Sequence, residues 1–146
     1  DEETGVVEIL RYNVVDDVGT VLNPLLLKGQ IHGGISQGVG QMLMEDLTYD
    51  PQSGELLAGS FMDYAMPRAS DVPNFVYADL PTRATTNPLG VKGCGEAGCA
   101  GSLTSIMNAI IDGLSVYGIR HIDMPATPHK VWQAIEQAKR TQSSAA

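Results

Sequence analysis

Glu96 lies in the run Gly93-Cys94-Gly95-Glu96-Ala97-Gly98, where small residues on both sides leave its carboxylate free to reach a bound group. A carboxylate so placed can take a proton from a reacting oxygen, and the glycines let backbone approach a ligand closely. The run leads into the start of an apolar helical segment, where free N–H groups attract anions. That position favours the ionised carboxylate, whereas burial beside a cofactor would push its pKa upward, and the residue types do not decide between the two. Glu96 also suits a plain cap on a helix beginning at Ala97, so both roles stay open at this point.

Gly93-x-Gly95-x-x-Gly98 matches the dinucleotide fingerprint as a string. That fingerprint needs a hydrophobic strand directly before it and an acidic residue roughly 20 positions later, at the end of the next strand. Here Thr86 to Lys92 is broken by Pro88 and Gly90, and Asp112 falls inside the following helix. The context therefore weighs against a nicotinamide or flavin site. Cys94 and Cys99 have no second cysteine pair, so zinc-ribbon and iron–sulfur spacings are not met. Reduced thiols are expected, unless the loop brings their α-carbons within bonding range. No metal ligand is assigned in this chain.

The elements that must hold this loop are signalled on both sides of it. Asn23-Pro24 supplies an N-cap and a proline at the first helical position for a helix from Leu25 to about Glu45. Leu27, Ile31, Ile35, Val39, Met42 and Leu43 share one broad side of it, while Gln30, Gln37 and Gln41 form a narrow stripe beside Gly33 and Gly34. Glycines 29, 33, 34, 38 and 40 each weaken a helix by up to about 1 kcal/mol, so something approaches this backbone closely. Tight packing and ligand approach explain the glycines equally well. After the loop, Leu103, Ile106, Met107, Ile110, Ile111 and Leu114 give a buried-face helix ending near Gly113.

A strand is predicted over Gly5 to Val15, and a β-rich section over Leu47 to Leu80 that closes in a strand at Phe75 to Leu80. Thr127-Pro128 opens a last helix with Val131, Trp132, Ile135 and Ala138 on one face, Trp132 reading as a core anchor. The irregular order of strands and helices gives an α+β class, a mixed sheet with packed helices. Residues 1–140 are expected to form one domain and residues 141–146 a disordered tail. At 146 residues and 43% hydrophobic, the chain suits a single core. Only 18% of residues are charged and 16 are glycine, which suggests that much of the surface is covered by something else.

A net charge of −8 with scattered lysines and arginines argues against nucleic acid or anionic membrane as partner. No apolar run is expected to reach membrane-spanning length, and the acidic start Asp1-Glu2-Glu3 is unlike a signal peptide. A soluble, cytoplasmic protein is the expectation.

The stretch Asn87-Pro88-Leu89-Gly90-Val91-Lys92-Gly93-Cys94-Gly95-Glu96-Ala97-Gly98 resembles the active-site loop of the molybdopterin-binding subunit in the xanthine dehydrogenase and aldehyde oxidase family. Gly29-Gln30-Ile31-His32-Gly33-Gly34-Ile35-Ser36-Gln37-Gly38-Val39-Gly40 resembles that family's glycine-rich helix. Asp17-Val18-Gly19 with Asn23-Pro24 resembles the segment before it. His121-Ile122-Asp123-Met124-Pro125-Ala126-Thr127-Pro128 with Val131-Trp132 resembles a C-terminal signature of bacterial members, in which the histidine and aspartate are structural. The resemblance spans nearly the whole chain in order, with the wording of the carbon monoxide dehydrogenase-like group.

The resemblance implies a fragment of a molybdenum-cofactor-binding domain. Glu96 becomes the catalytic base, taking the proton of a molybdenum-bound hydroxyl that attacks an electron-poor substrate carbon, with water as the oxygen source. It implies a molybdenum-pyranopterin, in the cytosine dinucleotide form usual for bacteria, with Gln30 bonding the cofactor and Gly33, Gly34, Gly93, Cys94, Gly95, Gly98 and Ser102 lining it. The N–H groups from Gly98 to Leu103 and the Ser102 hydroxyl serve its phosphates. Lys92 orients the loop, pairs with a phosphate or is simply a surface residue, and His32, opposite the glutamine stripe, reads as a core or interface histidine.

The same resemblance places FAD and [2Fe–2S] centres in other domains or subunits and makes the remainder of the large subunit a partner. The isolated chain is then expected to be inactive. An aldehyde or N-heterocycle is the leading substrate class. Carbon monoxide, whose copper-dependent oxidation needs a cysteine from an upstream loop, is the alternative. A non-catalytic acidic interaction domain is the reading from another class, and it separates from the enzyme by whether Glu96 and Gln30 face one concavity.

Overall fold

The computed structural model describes residues 1–144. Its main elements in chain order are β1 (Tyr12–Asp16), α1 (Pro24–Leu43), β2 (Phe75–Asp79), α2 (Ala97–Leu114) and α3 (Pro128–Ser144). Helix α1 starts where the Asn23 side chain accepts from the Leu25 and Leu26 N–H groups, at 3.1 Å each, with Pro24 preset for the first turn. Its apolar side is buried as the spacing predicts, and Ile31, Ile35 and Val39 are fully enclosed. Burying each such side chain contributes about 1.5–3 kcal/mol.

Helix α2 lies along α1, and the glycines explain how closely. A Cβ on Gly98 would sit 2.2 Å from the Ile31 carbonyl oxygen, one on Gly34 2.8 Å from the Cys99 nitrogen, and one on Gly38 1.8 Å from Ser102 Oγ. These three glycines are therefore required by helix-to-helix packing. Ser102, Ile106, Ile110 and Leu114 form the buried stripe of α2, in the register expected for its core face.

Strands β1 and β2 pair in parallel, Tyr12 opposite Phe75 and Asp16 opposite Asp79. A parallel pair needs a long crossover, and α1 with the segment after it supplies this. Tyr12, Val14, Phe75 and Tyr77 turn toward the helices and pack on the core. The Tyr12 hydroxyl lies 3.2 Å from Ser105 Oγ on α2. The α+β class stands, with a two-stranded sheet.

Several expectations are corrected. Residues 5–11 are extended but join no ladder, so the first strand begins at Tyr12. A Cβ on Gly5, at φ +73°, would sit 1.9 Å from the Pro128 carbonyl oxygen, so this stretch packs its backbone on the start of α3. The section after α1 is mostly irregular instead of β-rich. Its turn at Asp50 is closed by side-chain bonds to the Gln52 and Ser53 amides, and one bridge joins Tyr49 to Leu56.

Trp132 is half-buried and stacks on His129 with centroids 6.1 Å apart, whereas Val131 and Ile135 anchor α3 in the core. Helix α3 continues to Ser144, so Thr141 to Ser144 of the expected tail are helical, and residues 145–146 lie outside the described residues. The 21-residue stretch Ala97–Tyr117 is long and apolar enough to span a membrane, contrary to expectation. Its apolar stripe is occupied here by α1.

Candidate active-site loop

The loop before α2 is built outward from Asn87. Its side-chain amide donates to the Val91 carbonyl (3.0 Å) and its Oδ1 accepts from the Val91 N–H (3.1 Å), closing a turn that Gly90 completes at φ +69°. The next residues run antiparallel to the segment leaving β1. The Lys92 N–H donates to the Val18 carbonyl and the Thr20 N–H to the Gly90 carbonyl, both at 2.9 Å. Gly19 is held at φ +64°, and a Cβ there would sit 2.2 Å from the Gly90 oxygen.

Asp17 joins three segments at this point. Its Oδ1 accepts from the Gly19 N–H (3.0 Å) and the Thr82 N–H (2.9 Å), while Oδ2 takes the Lys92 ammonium at 2.5 Å. The Lys92 bond, followed by the two amides, holds this carboxyl well below the usual carboxylate range. Lys92, itself exposed, bonds Asp17, in keeping with the loop-orienting one of the three roles weighed for it.

Beyond Lys92, Cys94 rests half-buried against the core between two glycines. A Cβ on Gly93 or Gly95 would meet nothing within 4 Å. The far end of the loop is caught by α1, where the Gln30 side-chain amide donates to the Gly95 carbonyl at 2.7 Å. Gln30, Lys92, Cys94 and Gly95, with Leu22 and Leu26, line an open cavity of about 390 Å³.

Glu96 directly follows Gly95 at the N-cap of α2 and is exposed. Its backbone carbonyl accepts from Cys99 (3.1 Å) and Ala100 (2.9 Å), yet its carboxylate makes no capping bond. The capping role thus belongs to its backbone, leaving the carboxylate free toward solvent.

The expected site residues divide into three groups. Gln30, Cys94 and Gly95 line the opening, whereas Gly33, Gly93 and Glu96 are exposed and lie outside its lining, so Glu96 is not among the residues that share this concavity with Gln30. Gly34, Gly98 and Ser102 do not line this opening. They form the seam between α1 and α2, and the fully buried Ser102 hydroxyl donates to the Cys99 carbonyl at 2.9 Å. The Cys99 and Ala100 amides donate to the Glu96 carbonyl and those beyond them belong to the helix ladder, which leaves Gly98, in the first turn, as the amide of that range without such a bond.

Cys94 and Cys99 are free thiols. His32 is half-buried edge-on to Phe75 with centroids 5.1 Å apart, and burial, with Lys28 second, lowers its pKa. Sequence reasoning passed over Asp17 and Asn87 as loop supports. Their signal was the tendency of Asp and Asn side chains to bind backbone a few residues on.

Comparison with known proteins agrees with this architecture. Residues 1–73 match the family model described as molybdopterin cofactor-binding domain. The chain belongs to that family. It is 34% identical over 137 residues to the carbon monoxide dehydrogenase large chain of Hydrogenophaga pseudoflava, covering 94% of this chain and 17% of that one. It is 39% identical over 134 residues to the nicotine 6-hydroxylase large subunit of Paenarthrobacter nicotinovorans, covering 92% and 16%. The crystal structure of a Cu,Mo-CO dehydrogenase superposes with a TM-score of 0.90 at 33% identity, over 95% of this chain and 17% of that chain. The chain therefore spans about a sixth of the length of these relatives.

Proposed function

We propose that this chain is the C-terminal part of the large subunit of a molybdenum hydroxylase that oxidises a carbon of an aldehyde or N-heterocycle, with Glu96 as its base. The observation that supports this reading is the 2.7 Å bond from the Gln30 amide to the Gly95 carbonyl, which ties the glycine-rich helix to the residue before Glu96, beside a cavity lined by Gln30, Cys94 and Gly95. The residues fit a large polar cofactor on this side. Gly33, Gly93 and Gly95 present backbone with open space where a side chain would stand, and Gly95 is held by the Gln30 amide directly before the uncapped Glu96 carboxylate.

Gln30, Gly33 and the backbone of Gly93 to Gly95, with Cys94, would hold the cofactor, a molybdenum-pyranopterin in its cytosine dinucleotide form. When bound it supplies a two-electron acceptor and a Lewis acid for water. Overall, R–H and water give R–OH, two protons and two electrons. Glu96 accepts one of those protons at an Oε atom as the water-derived oxygen attacks carbon. Its exposure leaves that atom accessible.

The electrons leave through iron–sulfur and flavin centres in other domains or subunits. The remainder of the large subunit completes the pocket, and the cytoplasm is the compartment in keeping with two free thiols. Likeness to carbon monoxide dehydrogenase large chains favours carbon monoxide as a second substrate reading.

Glu96→Gln in the complete assembly tests the base. With molybdenum content unchanged, turnover of aldehydes, N-heterocycles and carbon monoxide should fall by at least about 100-fold. Unchanged turnover would remove Glu96 from the mechanism, and the substrate that reduces the unsubstituted enzyme selects between the two readings.

A further inference from the structure

We propose that Asp17 is a positioning residue for Glu96, anchoring the front of its loop through Lys92 while Gln30 anchors the rear. This inference rests on the base assignment above.

The loop needs external anchors. From Lys92 to Glu96 the chain passes through two glycines whose surroundings within 4 Å are open, and Cys94 between them is the one residue of the loop interior that rests on the core. Further restraint comes from the ends. At the rear, Gln30 holds the Gly95 carbonyl and α2 holds the Glu96 carbonyl.

At the front, Lys92 is bound twice. Its N–H goes to the Val18 carbonyl and its ammonium to Asp17. Asp17 is itself fixed by the Gly19 and Thr82 amides, at 3.0 and 2.9 Å, so the carboxylate is oriented before Lys92 reaches it. It sits immediately after β1, which carries the register of the sheet. The loop position is thereby referred to the sheet at one end and to α1 at the other.

Both residues are exposed, and the two amides that fix the Asp17 carboxylate distinguish this pair from an ion pair between two freely moving side chains. A base must sit within hydrogen-bond reach of its proton, and a shift near 1 Å can cost on the order of 100-fold in rate.

The test uses the complete molybdenum enzyme. Asp17→Asn keeps an oxygen for the Gly19 and Thr82 amides and removes the attraction for Lys92. Lys92→Met removes the cation and leaves both amide bonds to Asp17, so it serves should Asp17→Asn fold poorly. Each is expected to lower kcat about 10- to 100-fold with KM changed less than about 3-fold and with molybdenum content preserved. The double variant should be no slower than the slower single one, because both break the same tether. Lys92→Arg should restore most of the turnover.

Amide hydrogen exchange supplies a readout independent of turnover. Exchange over residues 90–96 should accelerate at least about 5-fold in Asp17→Asn and Lys92→Met while α1 stays protected. Glu96→Gln run in parallel should lose turnover with loop exchange unchanged. Normal loop exchange in both anchor variants, or additive losses in the double variant, would overturn the inference. Full turnover in Glu96→Gln would sink the base assignment, and accelerated exchange would then still mark Asp17 as a loop anchor.

Discussion

Two neighbouring aspartates show how position within a few ångströms sets the chemistry of a carboxyl group. Asp17 has three donors and stays ionised. Asp16, one residue earlier, buries its Oδ2 with no partner among the described residues, and desolvation raises its pKa. A raised folded-state pKa means that the ionised form is disfavoured in the fold. The penalty is therefore complete above that pKa and vanishes as pH falls below the ordinary carboxylate value. Asp16→Asn should raise the melting temperature at pH 7, with the gain disappearing near pH 3. Destabilisation at pH 7 would mean that the rest of the subunit provides Asp16 with a partner.

At the scale of elements, the glycines of α1 and α2 separate into those that packing demands and those that it does not. Gly98→Ala drives a methyl group into the Ile31 carbonyl, where rigid backbone cannot yield, and should cost about 1–3 kcal/mol in urea denaturation. Gly33→Ala meets open space and gains helix propensity, so the apo subunit should be stabilised by up to about 1 kcal/mol. Where cofactor approaches that face, the same substitution should lower molybdenum occupancy. Gain in stability with full occupancy would leave Gly33 outside the cofactor contact.

The whole molecule presents apolar surface that its own fold does not cover. Leu10, Leu25, Phe61 and Met62 are each at least 80% exposed. The outer face of the sheet adds Val15 and Val76, although parallel strands are ordinarily covered on both faces. With relatives about six times longer, the missing cover belongs to the remainder of the large subunit in our reading. The isolated 146-residue chain should then bind a hydrophobic dye strongly, retain no stoichiometric molybdenum and show no hydroxylase turnover. Metal content near one per chain would contradict this.

By itself, the amino-acid sequence determined α1, α2 and α3, because each has a strong signal within its own residues. Asn23-Pro24 and Thr127-Pro128 mark two starts, and apolar spacing near 3.6 marks the faces of all three. It also marked Glu96 among glycines and Gln30 as one of three glutamines on a glycine stripe, while the roles given to them came from the resemblance of the ordered motifs to a family. What only the tertiary structure decided involved distant partners. A strand exists only where another strand pairs with it, so residues 5–11 looked like β1 and the section after α1 looked β-rich until pairing was known. The same reason applies within the site. Periodicity could not tell a glycine that admits a helix from one that admits a ligand, nor reveal that Asp17 and Lys92, 75 residues apart, share one bond.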